Sequence, residues 1–195
     1  VSGPSSPPRL HLAGEEKADQ LLAEDPLALL LGMLLDQQIP MERAFSAPAR
    51  LVERLGRPLS AELLAEADPA GLEQLFAAKP ALHRFPAAMA RRVQTLCQVL
   101  QAEFDGDPRR LWTEAADGPD LVRRLAALPG FGEQKAKIFA ALLAKQFGIR
   151  PPGWQEATAP FGQPGVFLSV ADIVDEASLA AVRQAKQEMK RAAKR

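Results

Sequence analysis

The chain has 195 residues, 47% of them apolar, enough to bury the core of one ordinary domain or of two small lobes sharing it. Lys plus Arg and Asp plus Glu each number 24, so the net charge singles out no polyanionic partner. A single cysteine, Cys97, excludes an internal disulfide and a four-cysteine iron–sulfur cluster, and two distant histidines, His11 and His83, argue against a metal catalytic site.

In chain order, "VSGPSSPPR" is small and proline-rich, and residues 1–12 are expected to form a disordered lead-in to an all-α domain over 13–195. "EEKADQLLAEDPLALLLGMLL" predicts two helices meeting at "EDP", with Asp25 as N-cap and Pro26 at the first helical position. The next helical stretch, "DQQIPMERAFSAPARLVERLG", places Met41, Phe45, Leu51 and Leu55 on apolar faces. "LSAELLAEA" and "DPAGLEQLFAA" predict two short helices capped by Ser60 and Asp68. A long amphipathic helix, "FPAAMARRVQTLCQVLQAEFDG", ends at Gly106 and buries Cys97. "DPRRLWTEA" and "DGPDLVRRLAAL" are short helices again, and Trp112 belongs to the core by its spacing with Leu111.

No stretch alternates with the period of a strand, so the fold class is all-α. Residues 148–168 break the helical pattern: six Pro or Gly fall between Gly148 and Gly162, which predicts a long loop, ordered or flexible. The chain closes with a basic helix over 176–195; from Arg183 to Arg195, Arg183, Lys186, Lys190, Arg191, Lys194 and Arg195 outweigh Glu188. That end could attract phosphate or be only a solvated helix end. No apolar run approaches the length of a membrane span and no basic-then-apolar leader opens the chain, so a cytoplasmic, nucleoid-associated monomer is expected.

"LPGFGEQKAKIF", residues 128–139, reads as a tight hairpin between two helices, the second with Ile138, Leu142 and Leu143 facing inward. Gly130 and Gly132 permit backbone angles and close approaches that other residues forbid. The hairpin amides and the free N–H groups of the following helix would converge on a phosphate-sized anion, with Phe131 packed beneath; a plain helical corner is the alternative.

This segment resembles the helix-hairpin-helix of the HhH-GPD DNA glycosylase superfamily, which includes endonuclease III and the adenine–mispair and alkylpurine glycosylases. "GMLLDQQIPMERAFSAPARL" (32–51) is similar to an early helix of that superfamily, and "AAMARRVQTLCQVLQAEFDGD" (87–107) to the helix preceding the hairpin. Together the segments span residues 26–147.

The resemblance implies a two-lobed helical fold that binds double-stranded DNA. A damaged nucleotide would be flipped out of the duplex, and a carboxylate would assist cleavage of its glycosidic bond. Gln134 stands where bifunctional relatives carry a Schiff-base lysine, which implies a monofunctional glycosylase without strand-cutting lyase chemistry. By pattern the catalytic carboxylate is Asp172, with Asp175 as runner-up, although 40 residues separate Gly132 from Asp172, about twice the superfamily's usual interval. N-capping is the alternative role for both aspartates.

The DNA contacts implied are the Gly130–Phe131–Gly132 hairpin, Gln134, Lys135, and the pair Gln37 and Gln38, of which Gln38 best matches a glutamine that fills the gap left by the flipped base. Asp36 could line the base pocket, and Trp154 and Phe161 in the 148–168 loop are candidates to stack on the base. No cofactor is expected beyond a monovalent cation that the hairpin could hold. A non-catalytic damage-recognition protein on the same scaffold is the competing expectation.

Overall fold

The computed structural model describes residues 7–194, which form eleven α-helices and one short 3₁₀ turn, with no strand among the described residues. The first six helices are α1 (Glu16–Glu24), α2 (Pro26–Leu35), α3 (Met41–Leu55), α4 (Ala61–Ala65), α5 (Pro69–Ala77) and α6 (Pro86–Phe104). Here α1, α2 and α3 pack on one another, while α4 and α5 lie along α6. The second set is α7 (Arg110–Thr113), α8 (Gly118–Ala126), α9 (Glu133–Phe147), α10 (Trp154–Ala157), the 3₁₀ turn Val170–Asp172 and α11 (Glu176–Ala192). In it α8 and α10 flank α9, the turn packs on α9, and α11 rests on the turn. One continuous apolar core joins both sets.

Helix α2 is central because nothing on it is polar: Leu27 to Leu35 are all buried. It begins where the sequence dictates, with Pro26 at its first position and Asp25 Oδ1 accepting from Leu27 N at 2.9 Å. At Gly32 a Cβ would meet Phe45 Cδ1 at 2.7 Å, so the glycine sets how closely α3 approaches. The caps expected at Ser60 and Asp68 also form, accepting from Leu63 N (3.0 Å) and Gly71 N (2.8 Å). Cys97 is fully buried on α6, and burial pushes its thiol up to about 12.

One expectation changes. Residues 1–6 of the supposed disordered lead-in lie outside the described residues, but residues 7–12 are ordered. Leu10 and Leu12 join the core, and Asp19 Oδ1 accepts from the N–H groups of Leu12 and Ala13, both at 2.8 Å. Of the two alternatives for residues 148–168, the ordered loop is the one found. Gly118 N donates to Pro152 O at 2.7 Å, and a Cβ on Gly118 would strike Trp154 Cα at 2.6 Å, so the loop lies directly on the start of α8.

Candidate active-site cavity

The site is built around the end of α2. A helix leaves its last carbonyls without intrahelical donors, and here three side chains supply them. The Lys135 ammonium, reaching across from α9, donates to Met33 O (2.7 Å), Leu34 O (3.2 Å) and Asp36 O (3.3 Å). Gln37 Nε2 donates to Leu34 O at 2.8 Å, and its Oε1 accepts from Arg92 Nη1 of α6 at 2.9 Å. The His83 ring accepts from Phe85 N at Nδ1 (3.0 Å), which leaves Nε2 as the donor to Leu35 O (3.2 Å) and Gln37 O (2.9 Å). Burial lowers the His83 pKa, in keeping with a neutral ring that clamps backbone.

Desolvation pushes Lys135 down to about 8, against the pull of the nearby Asp36 carboxylate. Its ammonium also lies 5.9 Å from the Phe131 ring centroid. Just beyond the clamp, Gln38 adopts a left-handed backbone (φ 58°), a conformation that costs a residue with a Cβ about 1–2 kcal/mol. Strain of this kind persists where the surroundings impose it, often at sites of function.

The two hairpin glycines do different jobs. Gly130 is left-handed (φ 80°), and a Cβ there would fall on Leu34 Cδ1; it lets the hairpin seat against α2. Gly132, the N-cap of α9, has φ −94° and ψ 177°, angles open to any residue, and nothing lies within 4 Å of where its Cβ would be. No side chain caps α9, so the N–H groups of its first turn remain directed outward beside that empty space. Phe131 packs beneath, edge-on to Phe139 at 6.2 Å, as expected from its place in the hairpin.

A cavity of about 750 Å³ opens between these parts. Met33, Asp36, Gln37 and Gln38 form one wall; Gly132, Glu133, Gln134, Lys135 and Ile138 form a second. Pro160, Phe161 and Leu168–Val170 close the third side, and Lys186 and Met189 of α11 the last. Burial raises the Asp36 pKa, opposed by the charges of Lys135 and Lys186 and reinforced by Glu42.

Of the residues singled out in the sequence, Asp36, Gln37, Gln38, Gly132, Gln134, Lys135 and Phe161 meet at this cavity. Three readings need correction. Trp154 is not among the lining residues: it packs against α8 and Gly162, with the Arg150 guanidinium 5.9 Å from its ring. Lys135 is not a free phosphate contact, because α2's carbonyls hold its ammonium.

The third concerns the aspartates, for neither Asp172 nor Asp175 lines the cavity. Asp172, with a side chain only 4% exposed, pairs with Lys145 Nζ at 2.5 Å and accepts from Leu168 N (2.8 Å) and Ser169 N (3.2 Å). It fixes the backbone of the wall formed by Leu168, Ser169 and Val170. Asp175 caps α11, accepting from Ser178 N (2.8 Å) and Oγ (2.7 Å), and these bonds hold its carboxyl below the usual range.

Lys186, Met189 and the Leu168–Val170 wall were not foreseen. The i, i+3 spacing of Lys186 and Met189 marks one face of α11, but only the fold shows what that face meets. Among the described residues no group of three or more His, Cys, Asp or Glu could hold a metal ion, and no helix is long and apolar enough to cross a membrane.

The family model described as "HhH-GPD superfamily base excision DNA repair protein" matches residues 31–195, most of the chain. None of the curated proteins compared with the chain matches it. The chain belongs to the HhH-GPD superfamily, whose members bind DNA and act in base excision repair.

Proposed function

We propose that this member of the HhH-GPD superfamily is a monofunctional DNA glycosylase, hydrolysing the N-glycosidic bond of a damaged base turned out of the duplex into the 750 Å³ cavity. The observation that carries this reading is where the cavity lies. Its rim is the open face of Gly132 with the unpaired first-turn N–H groups of α9, a place for one backbone phosphate. Its interior combines apolar walls from Met33, Ile138, Phe161 and Met189 with the polar end of α2. Gln38 stands at the mouth in a fixed, strained turn, suited to fill the gap that the flipped base leaves.

Two features support hydrolysis without strand cleavage. Gln134 cannot form a Schiff base, and the neighbouring Lys135 spends its ammonium on three backbone carbonyls. A second reading, a recognition protein that binds lesions without excising them, draws on the complete engagement of Asp172 in structural bonds.

The test is a panel of duplexes, each carrying uracil, hypoxanthine, 3-methyladenine, or adenine opposite 8-oxoguanine. Base release from at least one, with the strand intact until alkali is added, is the expected outcome. Strand cleavage before alkali, or a borohydride-trapped adduct lost in Lys135→Gln, would overturn the monofunctional assignment. Binding to the lesions without release from any would favour the recognition protein.

A further inference from the structure

We infer that Asp36, at the end of α2, is the catalytic carboxylate of this cavity and that Asp172 is a structural residue. The inference rests on the glycosylase reading and names the group that would act within it. Of the two aspartates, Asp172 has its acceptors filled by Lys145 and two backbone N–H groups. Asp36 is the opposite case. Its backbone is held on both sides, N–H donating to Gly32 O (3.1 Å) and Met33 O (3.3 Å) and its carbonyl accepting from Lys135 (3.3 Å). Its carboxylate, however, accepts no hydrogen bond among the described residues while it lines the cavity. The carboxylate is partly buried, faces the cavity and is spent on no bond of the fold, so a firmly held backbone presents it to whatever enters.

The surrounding charges suit a base. Lys135 from α9 and Lys186 from α11 favour the ionised carboxylate, whereas burial and Glu42 from α3 favour the neutral form. Glu133, at the start of α9, adds a second negative group to the lining. Burial outweighs the two lysines, so the carboxylate is more basic than a free aspartate. In the reaction, a water oxygen bonds to C1′ of the flipped nucleotide as the C1′–N bond breaks. Asp36 accepts a proton from that water and later returns it to solvent. The electron pair of the broken bond leaves with the base, which solvent protonates. While the sugar carries positive charge, the same carboxylate stabilises it.

The experiment compares wild type, Asp36→Asn and Asp172→Asn for base release from the wild type's best lesion, with duplex affinity and thermal midpoint measured beside it. Asp36→Asn removes no hydrogen bond of the fold and should keep the midpoint and the affinity. It should slow release by roughly 10²–10⁴-fold, the usual contribution of a positioned acid–base group. The acid limb of the wild-type pH–rate profile, where activity falls as the carboxylate takes up a proton, should vanish from the residual activity.

Asp172→Asn should lower the midpoint and, in the release that its folded molecules retain, keep the acid limb of the pH–rate profile. Wild-type release that survives in Asp36→Asn within tenfold, or that keeps its acid limb there, overturns the assignment and leaves the glycosylase reading standing. A wild type that releases no base from any lesion refutes both.

Discussion

The hairpin offers a separation of stability from binding that can be worked from two single-methyl changes. In Gly130→Ala the backbone must hold φ near 80°, which costs a residue with a Cβ about 1–2 kcal/mol. The new methyl falls on Leu34 Cδ1, and overpacking of this kind typically adds about 1–3 kcal/mol. Reduced freedom of the unfolded chain returns roughly 0.4–1 kcal/mol. The net loss is then about 1–4.5 kcal/mol, or roughly 2–18 °C in midpoint for a domain of this size.

Gly132→Ala is different in kind. Its backbone angles suit alanine, and its Cβ would meet nothing. Alanine is a poorer N-cap than glycine, an effect that the unfolded-chain term offsets, so stability should stay within about 1 kcal/mol. A phosphate seated against that backbone would, however, be pushed outward by the methyl. Losing a charge-assisted hydrogen bond of about 1.5–3 kcal/mol corresponds to a duplex affinity weaker by roughly ten- to a hundredfold. Thermal melts and anisotropy titrations at one fixed salt concentration measure both quantities. Gly132→Ala binding duplex as tightly as wild type would falsify the phosphate site, and Gly130→Ala melting with wild type would remove the packing argument.

Other expectations follow from the same clamps. Lys145→Met strands the buried Asp172 carboxylate and should cost about 3–5 kcal/mol, whereas adding Asp172→Asn should recover much of it; strictly additive effects in urea unfolding of the four proteins would contradict the pairing. Burial pushes Lys135 down to about 8 from the ordinary 10.5, so between these pH values the unfolded chain holds a proton that the folded one has released. Stability should therefore gain from this residue as pH rises through that window, by on the order of 2–3 kcal/mol, and the gain should be missing in Lys135→Met; identical slopes of stability against pH in the two proteins would refute the burial. Gln38→Gly relieves a left-handed glutamine and should leave the melting midpoint unchanged or higher while weakening binding to lesion duplexes. Equal affinity in that variant would show that the strained turn serves the fold alone.

Much of the fold was legible because its signals are local. The caps at Asp25, Ser60 and Asp68, the burial of Cys97 and Trp112, and Phe131 beneath the hairpin each follow from a few neighbouring residues. The hairpin itself was legible too, although the sequence could not divide the labour between its glycines, since Leu34 comes from an element almost a hundred residues earlier. Trp154 was misplaced for the same reason. An aromatic in a Pro/Gly-rich stretch must dock somewhere, and its dock is the start of α8 at Gly118, not the cavity.

The carboxylate is the harder case, and here a local signal was present. "SVAD" carries serine and aspartate three apart, and in the fold they make a reciprocal cap: Ser169 Oγ accepts from Ala171 N, and Asp172 accepts from Ser169 N. "DEAS" repeats the device with Asp175 and Ser178. An aspartate already engaged in such a cap has little left to offer a substrate, so the pattern that pointed to Asp172 contained the argument against it.

Asp36 carries no such pattern. It follows an apolar helix as any polar end residue would, and its exposure to the cavity depends on Lys135 arriving from α9 and Lys186 from α11. Helical geometry correctly separates Lys135 from Gln134 by about 100°. Yet the end of α2 lies across the whole first turn of α9, so both side chains face the same space. What fixes the chemistry of this site is therefore the meeting of a helix end with a helix start. The carbonyls of α2 draw in the lysine, the first-turn N–H groups of α9 carry no side-chain cap, and the Asp36 carboxylate beside them is left without a protein partner among the described residues.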